Sequence, residues 1–374
     1  MTTDPRVRIH ASDHWWHEPS AAEPRRFPIH ASADFVQSLE RAGATLAVTS
    51  RQDSVLFLIS ISNGVCMASS VRVAAPMGIC VNGDSLALGT AVSIRVHRDL
   101  TASDATQATY LPVATHVTGG VSVHDVGWDA ASSLWFVNTA FSALCVVDGR
   151  SHFRIAWRPD FIAEDGPVDC CHLNGMAMTQ SGPHYATALA ATGTQEGWRT
   201  QGLDRGVLID LQHGVVLEDL SLPHSPQWRR DALWFLESGR GRLLRFAPTA
   251  AATNHASSEH IFSKHASSKP ASADIVGEIP GVLRGLDFAG DCAFIGLSKV
   301  RPTSGDAAEM LRQRFTDYSH CRIHAFDTLR GTSCGYAELP GISEISSLCV
   351  LPKPSVRWLQ PDPMQSATTF VYDE

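Results

Sequence analysis

The sequence predicts a single six-bladed β-propeller, and three observations carry that prediction. Short apolar runs separated by Gly, Asn, Asp and Ser fill the chain from about residue 45 to residue 350, a pattern typical of short strands joined by tight turns. The runs recur in units of 47 to 60 residues, and about 40–50 residues is the size of a propeller blade. Both ends of the chain hold incomplete units, which predicts that the two ends combine in one blade.

Each unit opens with one residue that directly precedes a short apolar strand. A tight turn and a second, more apolar strand follow. The residues that open the six units are Met77, His124, His172, His224, Arg284 and Glu344. The last unit keeps one strand near residues 345–350, whereas the N-terminal region has three spare strands near residues 45–49, 55–61 and 65–73. Pairing those N-terminal strands with the C-terminal strand closes the ring and removes its sheet edges. A two-domain β-sandwich, the rival architecture, does not explain a period that continues along the whole chain.

The propeller is predicted over residues 32–350, with an irregular N-terminal arm at residues 1–31 and a C-terminal tail at residues 351–374. One helix is expected directly after the arm, because Ser32 is a suitable N-cap and Gly43 follows the last turn. The Ala-, Ser- and His-rich stretch at residues 250–273 is expected to be a solvated loop.

Composition argues against several classes of protein. The 374 residues carry a formal net charge of −8 without a long basic run, so nucleic acid and anionic membrane surfaces are not expected partners. No apolar stretch has the length of a membrane span, and the N-terminus lacks the apolar core of a secretory signal. The nine cysteines form no CxxC pair, which favours free thiols in a reducing compartment. We therefore expect a cytoplasmic protein that acts on a small-molecule or peptide substrate.

Three histidines open consecutive units, and this repetition predicts a metal site. In a propeller, the residues that begin the innermost strands converge on one mouth of the central channel. His124, His172 and His224 would then approach one another, and imidazole is the commonest metal ligand near neutral pH. Glu344 is expected to act as a fourth ligand or a general base. Arg284 is expected either to bind an anionic group of the substrate or to pair with Glu344.

The predicted site leaves three functions open. Neutral imidazoles suit iron or copper, which favours a metal-dependent oxidoreductase acting on a small or peptide-like anionic substrate. Zinc would instead imply a hydrolase or lyase that uses a metal-bound hydroxide. The third alternative is a non-catalytic scaffold that binds a protein or glycan on its rim. Trp198, Arg199, Arg240 and Lys299 lie in polar loops and are the candidate rim residues for a substrate or a partner.

Several motifs resemble an uncharacterised bacterial protein family that is known only as a domain of unknown function. They are PMGICVNGDSLALGT, HDVGWDAASSLWFVNTAFSAL, CHLNGMAM, PHSPQW, LWFLESGRG and RGLDFAGDCAFIGLSKVR. The resemblance covers about residues 32–350 and implies no particular reaction. More distantly, the architecture is similar to metal-dependent six-bladed propellers of the gluconolactonase and streptogramin-lyase kinds, which implies a metal at the channel mouth. The ligands of those propellers are richer in Glu, Asp and Asn than the set expected here.

Overall fold

The computed structural model confirms the six-bladed propeller and its predicted closure. It describes residues 7–11, 26–163, 166–248, 272–300, 305–315, 320–358 and 369–373. Most of the expected solvated loop at residues 250–273, and much of the predicted arm and tail, lie outside the described residues.

One short helix precedes the blades, as predicted. The first elements of the chain are β1 (Val7–Ala11), β2 (Phe27–Pro28), α1 (Ala33–Ala42), β3 (Thr45–Ser50), β4 (Val55–Ser62) and β5 (Val65–Arg72). The Ser32 side chain accepts a hydrogen bond from the Phe35 amide, and Gly43 ends the helix in the left-handed conformation. Phe35 is fully buried and meets the ring of Phe294 edge-on, so the helix packs its apolar face onto the body.

Five blades each contain four consecutive antiparallel strands, numbered outward from the channel, and in blade 1 a strand from the C-terminal region adds parallel to the outermost one. Blade 1 consists of β6 (Ile79–Asn82), β7 (Ser85–Gly89), β8 (Ser93–Asp99) and β9 (Gln107–Val117). Blade 2 consists of β10 (Val123–Trp128), β11 (Leu134–Asn138), β12 (Ala143–Val147) and β13 (Phe153–Trp157). Blade 3 consists of β14 (Leu173–Thr179), β15 (Gly182–Ala188), β16 (Gly206–Asp210) and β17 (Gly214–Leu220). Blade 4 consists of β18 (Pro223–Arg229), β19 (Ala232–Glu237), β20 (Arg242–Phe246) and β21 (Asp274–Glu278). Blade 5 consists of β22 (Val282–Ala289), β23 (Cys292–Ser298), β24 (Cys321–Asp327) and β25 (Thr332–Leu339), with helix α2 (Gly305–Arg314) between its second and third strands.

The sixth blade joins the two ends of the chain. Its innermost strand is β26 (Ser347–Leu351), which pairs antiparallel with β3; β4 and β5 follow outward, and β2 pairs with β5 at the outer edge. Two further strands follow, β27 (Ser355–Trp358) and β28 (Thr369–Asp373), which pair with β9 and β1 respectively. The described parts of the predicted arm and tail therefore contribute strands of their own.

The core lies between neighbouring blades, because each sheet packs a face on the next. The innermost strands contact one another in the order β6, β10, β14, β18, β22, β26 and back to β6. Close approach explains Gly78, where an added Cβ would lie 2.5 Å from the Cα of Asp125 in the next blade. All nine cysteines are free thiols, as predicted. Among the described residues, no helix has the length and apolarity to cross a membrane.

Candidate functional site

A repeated hydrogen bond between blades defines the register of the channel. At four blade junctions, a hydroxyl at the end of the second strand donates to a backbone carbonyl at the start of the next blade; we call this contact the hydroxyl bridge. The four bridges are Thr49 to Met77 (2.6 Å), Thr139 to Leu173 (2.6 Å), Ser238 to Leu283 (2.6 Å) and Ser298 to Ile345 (3.0 Å). Between blades 3 and 4, the Asn174 amide donates to the Pro223 carbonyl at 3.1 Å.

The residue after each accepting carbonyl occupies an equivalent position at the channel mouth. With His124 at the matching place in blade 2, the ring consists of Gly78, His124, Asn174, His224, Arg284 and Ser346. This register corrects the expected equivalence at three positions, because Met77 lies one residue before the ring and His172 and Glu344 each lie two residues before it. A β-bulge near the start of each of β10, β14, β18 and β22 hides this register in the sequence.

A cavity of about 220 Å³ runs along the channel from this mouth towards the far ends of the innermost strands, where Asn82, Trp128 and Met178 line it. His124, Asn174, His224, Arg284 and Ser346 of the ring are among the described residues that line it. The volume equals roughly seven water molecules at about 30 Å³ each, which suits a small organic molecule. The ring residues therefore bring two imidazoles, one guanidinium and two uncharged polar groups to the cavity, which is also lined by the carboxyl group of Asp125 and by the polar side chains of Asn82, Ser225, Gln227 and Ser347.

Hydrogen bonds fix the tautomer of His124. Its Nδ1 lies 3.1 Å from the Ser122 carbonyl and 2.6 Å from the Thr139 hydroxyl. Because a carbonyl can only accept, Nδ1 carries the proton and Nε2 keeps its lone pair. The pKa of His124 lies well below its usual value, mainly because of burial and then because of His172, with smaller contributions from Arg284 and Arg51. His124 is therefore neutral near pH 7.

His224 is held in the same way in blade 4. Its Nδ1 donates to the Leu222 carbonyl at 2.9 Å and lies 3.0 Å from the Ser238 hydroxyl. Its Nε2 is buried and hydrogen-bonds no described residue, although the side chain lines the cavity. Burial and then Arg284 lower its pKa well below the usual range. His224 thus presents a neutral acceptor nitrogen that only a ligand or solvent in the cavity can satisfy.

His172 lies on the rim beside the ring. Its Nδ1 contacts Asp169 Oδ2 at 2.8 Å, its ring centroid is 4.2 Å from that of Trp198, and it meets His124 edge-on at 4.9 Å. Arg199 lies over the Trp198 ring at 4.2 Å and pairs with Glu196 at 3.2 Å. The predicted rim residues Trp198 and Arg199 therefore form, with His172, one wall of the mouth.

Arg284 projects from β22 into the cavity. Its side chain makes no hydrogen bond or ion pair with any described residue, and burial lowers its pKa to about 10. The group therefore remains a cation at neutral pH. A half-buried cation without a partner is partly removed from water, and an anionic ligand in the cavity would pair with it.

Glu344 supports a turn instead of facing the cavity. It is 2% exposed, and its Oε1 accepts hydrogen bonds from the Gln52 amide at 3.0 Å and the Ser346 hydroxyl at 3.4 Å. This carboxylate therefore joins the turn between β3 and β4 to the segment before β26. It is two residues away from Ser346, which does line the cavity.

The other two predicted rim residues differ in their surroundings. Arg240 forms ion pairs with Glu237 and with Asp204, the latter at 3.6 Å, and donates a hydrogen bond to the Asp219 carbonyl at 3.1 Å. Lys299 is half-buried after β23 and forms no ion pair with the described residues.

Helix α2 packs beside the mouth. Its Arg314 binds both oxygens of Asp204 at 3.2 and 2.9 Å, the Ser221 hydroxyl and the Gly239 carbonyl. Leu311 of the helix packs with Leu222, which directly precedes the strand that carries His224, and with Val282, the first residue of the strand that carries Arg284. The helix therefore narrows the mouth on the side of blades 4 and 5.

The described residues do not fit a metal centre at the mouth in this arrangement. No group of three or more His, Cys, Asp or Glu side chains among them is placed to hold a metal ion. The cation Arg284 also shares the cavity with His124 and His224, and Coulomb repulsion between like charges opposes a dication there. The assignment of His124, His172 and His224 to iron, copper or zinc stays a prediction.

Sequence reasoning missed Asn174, Ser346 and Arg51 at the mouth, and Thr139 and Ser238 behind the histidines. One signal could have found them. A Ser or Thr ends the second strand of four blades, and aligning the units on that hydroxyl gives the correct register.

Comparison with known proteins supports the fold and the predicted family resemblance. The model of a family described as Domain of unknown function (DUF4915) matches residues 33–357. No curated protein matches the sequence.

Similar solved structures include a chain of a nidogen/laminin complex, with a TM-score of 0.51, 9% identity and coverage of 83% of this chain and 100% of that chain. A gluconolactonase from Xanthomonas campestris has a TM-score of 0.47, 10% identity and coverage of 90% and 97%. A streptogramin B lyase has a TM-score of 0.39, 14% identity and coverage of 71% and 69%. At these identities the likeness shows the fold alone.

Proposed function

The chain belongs to this family, and because the family's description assigns no activity, we propose a function from the channel mouth alone. The protein is an enzyme that binds a small organic carboxylate through Arg284 and removes a proton next to that carboxylate with the neutral imidazole of His224. One observation carries the proposal. The unpaired guanidinium of Arg284 and the unpartnered Nε2 of His224 line the same cavity.

Arg284 supplies the anchor. A guanidinium binds a carboxylate through two parallel N–H donors, and such charge-assisted pairs are about twice as strong as neutral hydrogen bonds. A cation on the carboxylate also stabilises the negative charge that develops when a neighbouring C–H bond loses its proton. The same contact therefore binds the substrate and acidifies it.

His224 supplies the base. The Nδ1–H bond to the Leu222 carbonyl leaves Nε2 as the proton acceptor. The imidazole has a depressed pKa beside Arg284, and an anion bound between them raises that pKa towards the range in which general bases are effective. His124, which has the same tautomer, is available to accept a hydrogen bond from a substrate hydroxyl. The step is the first stage of an elimination or isomerisation.

Titration calorimetry and exchange with deuterated water test the proposal. The probes are malonate, acetoacetate and oxaloacetate, each of which carries, on a carbon next to a carboxylate, protons that exchange with solvent when a base removes them. We expect wild-type protein to bind at least one probe and to accelerate its exchange, as followed by proton NMR. Arg284→Gln should lose binding, whereas His224→Gln should keep it and lose exchange about 100-fold.

Arg150→Gln is the matched control, because Arg150 is exposed in the turn between β12 and β13 at the opposite end of the propeller. It removes the same charge and should change neither readout. Equal binding by wild type and Arg284→Gln, or no binding of any probe, would overturn the proposal.

A further inference from the structure

We propose that Arg51 forms a second carboxylate-binding position beside Arg284, so that the mouth selects a small dicarboxylate. The inference rests on the proposed function and names the substrate class of the same site. It concerns the turn between β3 and β4, which no sequence motif had singled out.

The turn that carries Arg51 is held on both sides. The Arg51 amide donates to the Ser346 hydroxyl at 3.0 Å, and the Gln52 amide donates to Glu344 at 3.0 Å. Asp53 accepts hydrogen bonds from the Ser50 hydroxyl at 2.5 Å and the Ser343 amide at 2.7 Å. These contacts fix the turn before any ligand arrives, which lowers the entropic cost of binding.

The guanidinium of Arg51 remains without a partner in this otherwise bonded turn. Its Nε is buried and hydrogen-bonds no described residue, and the side chain forms no ion pair with the described residues. Two other arginines of the same end, Arg240 and Arg314, are each bound to carboxylates and carbonyls. A desolvated donor without an acceptor costs free energy, so Arg51 has the character of a binding group and not of a structural one.

Arg51 lies next to the cavity. Its backbone is bonded to Ser346, which lines the cavity together with Arg284. Both guanidinium groups contribute to the lowered pKa of His124, so both act on the surroundings of one imidazole. The two cations come from different elements, the innermost strand of blade 5 and a turn of blade 6.

Two cations on separate elements match a ligand with an anionic group at each end. A single compact anion would pair with one guanidinium and leave the other without an anionic partner. A dicarboxylate of a few carbons satisfies both with planar, two-donor contacts. In that complex the Arg284 carboxylate is adjacent to the reacting C–H bond, and the Arg51 carboxylate orients the molecule.

The test compares each dicarboxylate with its own monomethyl ester, which keeps the skeleton and removes one charge. The probes are succinate, glutarate and 2-oxoglutarate, with inorganic phosphate as a single compact dianion, titrated into the full chain by calorimetry. We expect wild type to prefer at least one dicarboxylate over its ester by about tenfold, as for one hydrogen-bonded charge pair. Arg51→Gln should abolish that preference and leave the affinity for the ester unchanged.

Arg150→Gln again serves as the charge-matched control, and thermal unfolding confirms that each variant folds. A preference that survives in Arg51→Gln, equal affinity for acid and ester in wild type, or phosphate binding as tight as the best dicarboxylate would overturn the inference. Those results leave the proposed function standing as long as Arg284→Gln still abolishes ester binding. The proposed function would be contradicted by a different result, namely that Arg284→Gln binds the ester as tightly as wild type does.

Discussion

Blades 2 and 4 hold their channel histidines in the same way, but they differ in the residue that follows. In both, the imidazole Nδ1 contacts a carbonyl two residues before it and the hydroxyl of the blade's own bridge. The next residue is Asp125 in blade 2 and Ser225 in blade 4. Each of these side chains accepts a backbone N–H of the following blade at 3.0 Å, from Met176 and Gly285 respectively.

The comparison separates two functions of the mouth. The hydroxyl bridge both joins the blades and fixes the tautomer of the histidine, so stability and site geometry depend on the same atom. The side chain after each histidine has only the role of joining the blades, and in that role the carboxylate of Asp125 and the hydroxyl of Ser225 make the same contact. One junction is therefore titratable and the other is not.

The largest expected difference between the two junctions is in pH dependence. Burial raises the pKa of Asp125 to about 7, above its value of about 3.9 in the unfolded chain. The native state then binds a proton that the unfolded state lacks between about pH 4 and pH 7, so stability falls as pH rises through this window, by at most about 1.4 kcal/mol per unit. We expect Asp125→Asn to gain stability relative to wild type from pH 4 to pH 7, as measured by urea unfolding.

Ser225→Ala is the matched variant in blade 4. It removes the equivalent acceptor of an N–H group, and its cost relative to wild type should be the same at every pH in the window. A parallel pH dependence in both variants, or none in Asp125→Asn, would show that Asp125 is ionised throughout and that the two junctions are alike.

The second prediction concerns the bridges themselves. Thr139→Val keeps the shape of the side chain and leaves the Leu173 carbonyl without its donor, and Ser238→Ala does the same to Leu283. A buried polar group left unsatisfied costs about 1–3 kcal/mol, so both variants should lose about 2 kcal/mol of unfolding free energy in urea. Thr139→Ser and Ser238→Thr keep the hydroxyl and should lose much less. Unequal losses in the two blades would mean that the shared geometry does not reflect shared energetics.

The sequence was sufficient for the architecture and insufficient for the channel register. Spacing and the two incomplete ends predicted six blades and the pairing of the N-terminal strands with β26, because blade length and ring closure are properties of the whole chain. The ring position depends on local irregularities that spacing does not record. The bulge near Asn174 shifts the register of its strand. From the sequence, His172, two residues earlier, was therefore favoured as the site residue, because histidine is a metal ligand and asparagine had no assigned role. Arg51 was missed because its importance comes from a turn held by distant residues, Ser343 to Ser346.

The smallest effect is expected at His172, the histidine outside the ring. Its contacts are the hydrogen bond with the partly exposed Asp169, the ring of Trp198 and the edge-on contact with His124, and partly exposed polar contacts of this kind contribute about 1 kcal/mol or less. We expect His172→Gln to change the unfolding free energy by no more than that. Nitrogen-15 NMR should still show His124 and His224 protonated on Nδ1 and free on Nε2 at pH 7, because the groups that set those tautomers belong to blades 2 and 4. His224→Gln provides the assignment control, since one of the two Nε2 signals must disappear. A changed His124 tautomer in His172→Gln would place His172 in the same functional unit as the ring, as a shared metal site requires.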